Sequence, residues 1–385
     1  MKYPFSPEFL DALPESIAQI YRDLEMELID YICGAIGAGG LNEKSVQDIR
    51  ILRSHGIPLE PIERAIREAA GLTKRETDKL FRDVVARNEK YYDGVLDMAK
   101  LTAPEELVTE AQIDALIAQT EGELANITGS MGFMMGANAP LTPPARVYQT
   151  ILDEAAIGVQ AGTSYTTAIE RATRKMAANG LRYVNYESGH VDHADVAVRR
   201  AIMTGTAQIC DKYTVATAKK LNSHYYEVSA HAGARDTGIG WQNHKEWQGK
   251  VYSDRDGDKY PSIYEVCGLD EVDGLEGVNC RHRRFVFIEG LSTRTYTDEE
   301  LANIDPPPFE YQGKTYNAYQ ATQKQREIER TMRRLKREEA ALRADGFTED
   351  AAAVKANMRR LSKEYTEFSK AAHLPEQRVR MKVIE

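Results

Sequence analysis

Apolar residues recur at a helical period from early in the chain. Ile17, Ile20, Tyr21, Leu24, Leu28 and Ile32 lie three or four apart with charges between them, which predicts an amphipathic helix that stops in the glycine-rich run GAIGAGG. Shorter helices are predicted next, in SVQDIRILRSHG, IPLEPIERAIREAAG and LTKRETDKLFRDVV, with Gly56 and Gly71 as punctuation and Thr73 with Glu76 as a capping box. A third helical region runs from Pro104 through TEAQIDALIAQTEGELANIT. Small residues, methionines and prolines at 129–144 then predict a loop or hinge, ordered in a complex. Helical patterning resumes after Ala145 and halts at Gly180. RYVNYESG reads as a short hairpin, and 190–221 as one long helix.

The pattern changes between Tyr226 and Ser292. Glycines punctuate short runs of Val, Ile, Tyr and Phe, and both tryptophans, Trp241 and Trp247, lie here. The acidic run after VYS predicts a tight turn between two strands, WQGKVYS and YPSIYEV. Beyond a triple proline, 305–308, the helical period returns. Ile328, Met332, Leu335 and Leu342 form one stripe, Gly346 a turn, and Val354, Met358, Leu361, Tyr365 and Phe368 the answering stripe, so a helical hairpin is predicted.

The fold class is therefore α+β, with mostly helical N-terminal and C-terminal regions around a small irregular α+β module with short strands. The predicted domains are 1–128, helical; 145–298, the module with its long leading helices; and 315–385, a helical hairpin and tail.

Composition narrows the function classes. A chain of 385 residues with 42% hydrophobic and 28% charged content is globular in type, and its net charge of −9 argues against a molecule that coats nucleic acid. Four widely spaced cysteines make no secreted disulfide framework, no leader or membrane span is evident, and a reducing cytoplasm is the expected place of synthesis. The basic residues Arg326, Arg330, Arg333, Arg334, Lys336 and Arg337 read as a solvated helix face laced with Glu327, Glu329 and Glu338; contact with nucleic acid is the sharper alternative.

The candidate chemistry lies mainly in the central stretch. His231, His244, Cys267, Cys280 and His282 carry side chains that bind zinc, and in an extended strand Cys280 and His282 share one face. The set His231, His244, Cys280 and His282 is the candidate structural zinc site; packed, unliganded side chains are the alternative. His190, Asp192, His193 and Asp195 could ligate a metal but also suit a solvated helix start. Asp254, Asp256, Asp258 and Glu265 fall at calcium-loop spacing, yet Lys259 stands where that loop needs glycine. No Walker loop or dinucleotide fingerprint is present and no catalytic triad is fixed by spacing, so enzymatic activity is not indicated.

Several phrases match a known pattern: SAHAGARDTG with Gly233 and Arg235, NHKEWQGKVYS with Trp247 and Gly249, YPSIYEVCG, GLEGVNCRH and FIEGLSTRTY. They resemble the phage minor capsid protein 2 family, related to phage Mu F-like head morphogenesis proteins, and the likeness extends over nearly the whole chain. That family has a histidine followed downstream by an Asn-Cys-Arg-Cys or Asn-Cys-Arg-His phrase; here these are His244 and Asn279, Cys280, Arg281, His282. The resemblance implies a non-enzymatic structural protein of a tailed-phage or prophage head, made in the host bacterial cytoplasm and carried in the virion. It implies association with the portal protein and other capsid or scaffolding proteins inside the procapsid, contact with phage DNA, and no membrane. The alternative is a metal-dependent, nuclease-like enzyme built on the His/Cys module.

Overall fold

The computed structural model describes residues 3–101, 106–136, 139–185, 188–277 and 280–383. Two helices open it, α1 (Pro7–Ala12), capped by the Ser6 hydroxyl, and α2 (Glu15–Ala38). The predicted stripe of α2 is its buried face, and the helix stops where Gly40 turns to φ +81°. Then come α3 (Val46–His55), α4 (Glu60–Met98) and α5 (Glu110–Gly129). Gly71 and the Thr73–Glu76 pair do not divide α4. Thr73 is buried in mid-helix, on a stripe that includes Ile62, Ala69, Thr77, Phe81 and Val84. A glycine inside a helix costs only about 1 kcal/mol, and a continuous packed face outweighs that.

The 129–144 segment is not a simple loop. It holds β1 (Met131–Met134) and β2 (Leu141–Thr142), with Ala137 and Asn138 outside the described residues. After α6 (Pro144–Gln160) and α7 (Tyr165–Asn179), β3 (Leu181–Val184) and β4 (Val191–His193) complete an antiparallel sheet of order β2-β1-β3-β4. Burial of Met131, Phe133 and Leu181 explains why so short a run forms a strand. The long helix predicted from 190 begins four residues later, as α8 (Ala194–Leu221), because 191–193 pairs with β3.

Helix α8 packs against α2, α4 and α5. Small side chains let it approach closely: a Cβ at Gly205 would lie 2.5 Å from Thr120 Oγ1 and 2.6 Å from the Phe81 ring. The central stretch follows as β5 (Tyr225–Val228), α9 (His244–Trp247), β6 (Val251–Ser253), α10 (Ile263–Cys267) and β7 (Arg284–Phe287), the strands pairing antiparallel in the order β6-β5-β7. The second flank of the acidic turn is thus a helix, α10, where a strand was predicted. Only a bridge from Ser253 to Ser262 continues the pairing, and Gly268 closes α10 in a left-handed cap.

Helix α11 (Asp298–Ala302) and the hairpin β8 (Phe309–Tyr311) and β9 (Lys314–Tyr316) lead to α12 (Ala318–Asp345) and α13 (Thr348–Ala371). Gly346, at φ +94°, makes the turn between these two helices. Their facing stripes bury Ile328, Met332, Tyr365 and Phe368, with Met358 and Leu361 partly buried against them. Helix α12 also packs on α2 and α7, so elements far apart in sequence share one core that includes residues from Tyr3 to Val354. The fold is α+β, with small antiparallel sheets set among long helices.

Candidate functional site

The central stretch places its histidines by short, locally determined elements. Asn243 precedes the one-turn helix α9, whose first residue is His244 and whose last, Trp247, is buried with its indole N–H donating to the Trp241 carbonyl at 2.9 Å. Gly249 sits at φ +70° after α9, and a Cβ there would collide with Leu301 and lie 3.2 Å from Ala230. Gly233, at φ +69°, donates its amide to Asp305 at 2.8 Å and so anchors the turn after His231. The Arg235 guanidinium donates to the Asp273 carbonyl at 3.2 Å. Arg281 faces Asp11 at 3.8 Å. Asn279 lies outside the described residues.

Of the four candidate ligands, the structure brings three together. One donor atom each of His244, Cys280 and His282 lies within 4.8 Å of the others, and all three residues are buried. The Cys280 sulfur is 3.6 Å from His282 Nδ1. Tetrahedral zinc with Zn–S near 2.3 Å and Zn–N near 2.0 Å separates its ligand atoms by about 3.5 Å, so this pair already has the spacing a shared ion would need. His231 is alongside, its ring stacked on His282 at 4.5 Å between centroids, with Nδ1 directed at the Ala232 carbonyl at 2.9 Å. Cys267 stands apart, at the end of α10, where it pairs with the Tyr252 hydroxyl.

Hydrogen bonding fixes the ring tautomers. The Asp273 carbonyl can only accept, so His244 donates to it from Nε2 at 2.9 Å. The His231 amide donates to Gln248 Oε1, which orients that amide oxygen to accept from His282 Nε2 at 3.1 Å. The His244 and His282 rings therefore keep their lone pairs on Nδ1, with the opposite N–H held by an oxygen, the arrangement that positions metal-binding histidines. Burial pulls the His231 and His244 rings down to about 4 and His282 well below its ordinary value, and it pushes the Cys280 thiol up. The residues present fit a soft divalent ion such as zinc.

The remaining sequence candidates serve as charge partners. Asp192 pairs with Arg200 at 2.5 Å, and Asp195 lies 3.6 Å from Arg22 and 3.8 Å from Arg333. Asp254 accepts from His224 at 2.8 Å and Asp258 from Tyr225 at 3.0 Å, while Glu265 lies exposed on α10.

The basic helix α12 departs from expectation. Arg337 is buried, bonded to Ala177 O at 2.9 Å and to Glu25 at 3.3 Å, and Arg333 is largely enclosed. Only part of the predicted solvated face meets water, because α2, α7 and α8 cover the rest. Sequence reasoning missed what these arginines enclose, a cavity of about 350 Å3 bounded by α2, α8, α12 and the histidine cluster.

Comparison with known proteins adds the following. The family described as Phage minor capsid protein 2 matches residues 5–370. A "Structural protein" of Lactococcus phage LL-H is 27% identical over 270 residues, 66% of this chain and 67% of that protein. No solved structure matches.

Proposed function

The chain belongs to the phage minor capsid protein 2 family, and from that premise we propose that it is a head component of a tailed phage or prophage, associated with the portal inside the procapsid. A structural role in the phage capsid follows from the family and from the lactococcal phage relative. The observation that carries the reading is the extent of the match, which takes in both the helical regions and the His/Cys module. Among the described residues no helix is long and apolar enough to cross a membrane. A groove between α12, α13 and the tail, floored by Met332, Met358 and Met381 and rimmed by Lys355, Arg359 and Arg378, supports protein contact through adaptable apolar side chains. Contact with packaged DNA would use the same basic rim.

The test is a nonsense mutation in the gene within its phage, together with crosslinking of intact particles. The expected result is protein in purified virions crosslinked to the portal, and loss of infectious particles in the mutant. Full titres without the protein, or virions that lack it, would defeat the proposal.

A second reading, a structural zinc on His244, Cys280 and His282, is favoured by the convergence of these ligands and their oriented rings. Elemental analysis is expected to find about one zinc per chain. Chelation and Cys280→Ser should each lower the melting temperature by several degrees, without additive effect. A metal-free protein whose melt ignores chelator would remove the zinc. Chelator-sensitive hydrolysis of DNA by the pure protein would replace the structural role with a nuclease.

A further inference from the structure

The cavity beside the histidine cluster has an unusual charge balance. Eight guanidiniums line it against three carboxylates, Glu15, Asp195 and Glu329. A fourth carboxylate, Asp11, reaches in from α1 and is shared by Arg199 at 2.8 Å, Arg326 at 3.7 Å, Arg281 at 3.8 Å and Arg380. Asp195 is likewise divided between Arg22 and Arg333. Four carboxylates thus face eight guanidiniums in a partly enclosed space, where uncompensated charge is expensive.

Three of the arginines and Asp11 register this surplus, whereas Arg380, beside Asp11 and Glu329, is held above its ordinary value. Against the upward push of burial, Arg380, Arg281, Arg199 and Arg326 hold the Asp11 carboxyl down at about 2. Burial and the adjacent Arg281 bring Arg326 down to about 10, and burial lowers Arg199 and Arg333 as well. Arginines that crowd one another in this way are relieved by an anion of several charges. Their planar forks suit the paired oxygens of phosphoryl groups. The side chains of Arg22, Arg333 and Arg380 are only 4%, 14% and 13% exposed, and the cavity is small, so a duplex cannot lie in it. A compact ligand can.

We propose that this cavity is a binding site for a small polyphosphate anion, of the pyrophosphate or nucleotide-phosphate class, held by Arg199, Arg281, Arg326, Arg333 and Arg380. Asp11 is its internal competitor, occupying in the free protein the guanidiniums that the ligand would take. The site does not require a metal.

Calorimetric titration of the full chain with pyrophosphate, in phosphate-free buffer at fixed ionic strength, tests this. One saturable site is expected, with a rise in melting temperature that matched sodium chloride does not give. Arg326→Gln should weaken binding by about tenfold or more. Asp11→Asn, which removes the competitor, should tighten it. Withdrawal of a metal by the ligand would follow neither substitution, so the pair separates the two effects. Absence of saturable binding, or affinities unchanged in both variants, would overturn the proposal. Binding of a 20-base-pair duplex that pyrophosphate cannot displace, with no pyrophosphate binding of its own, would overturn it too.

Discussion

Asp345→Asn is expected to raise the melting temperature at pH 8 while leaving it nearly unchanged at pH 4. Asp345 is fully buried at the C-terminal end of α12. One of its oxygens accepts from the Thr173 hydroxyl, and the other has no hydrogen-bond partner among the described residues. Burial raises its carboxyl from the ordinary 3.8 to about 7. Its charge acts on Cys33 and Tyr165, neither of them a cation. The helix terminus adds its own negative end.

A carboxyl whose folded pKa is raised binds its proton more tightly in the native state. Its contribution is complete below the unfolded value and is lost as pH rises through the folded one. The window is therefore about pH 4 to 7. A shift of this size corresponds to roughly 4 kcal/mol across that window, at 1.36 kcal/mol per pH unit. Asparagine keeps the shape and cannot ionise, so the pH dependence in this window should flatten. Thermal melts of both proteins at pH 4, 6 and 8 check this, and parallel curves would show that Asp345 is not the titrating group.

The second large effect should come from Arg337→Met, with a loss of about 3–5 kcal/mol in urea unfolding near pH 7, as found when one partner of a buried ion pair is removed. Arg337 and Glu25 are 6% and 8% exposed, and they join α12 to α2. Glu25 also accepts the Leu181 amide, and Arg337 donates to the Ala177 carbonyl. Gly180, at φ +67°, belongs to the same arrangement, since a Cβ there would collide with Glu25 and lie 2.9 Å from the guanidinium. Burial pushes the Glu25 carboxyl up even with Arg337 beside it. Without the arginine, protonation of Glu25 becomes the escape, so the loss should shrink as pH falls toward 5. Adding Glu25→Gln should recover part of it at neutral pH. A loss below about 1 kcal/mol would mean the pair is solvated and contributes as a surface bridge does.

The sequence made some of this legible and hid the rest for physical reasons. The stripes of α2, α12 and α13 are read directly because a helical period repeated over several turns needs no tertiary information. The break signal at Gly71 is overridden because a local cap is weaker than the packing of a long stripe on α8. Strand β1 was invisible because Met131–Met134 has neither the length nor the alternation to declare itself, and its partner β3 is some fifty residues away. In the module, the His244, Cys280 and His282 side chains could be named from their chemistry, while their meeting, and the place of His231 beside them, depended on α9, Gln248 and Asp273. The arginine cavity could not be read at all. Its charges come from α1, α2, α8, the loop that carries Arg235, the segment before β7, α12 and the tail, and each looks like an ordinary surface residue on its own element.

The shared carboxylate of Asp11 also imposes an order of events. Its partners are made at positions 199, 281, 326 and 380, the last of them 369 residues later. During translation the carboxylate waits for most of the chain, and a product truncated before α12 leaves it with two guanidiniums in place of four. The α1 anchor is then weaker, and the wall contributed by Arg326, Arg333 and Arg380 is missing. Closure of this cluster therefore requires that synthesis has passed residue 380, and the first helix gains its full set of partners only then.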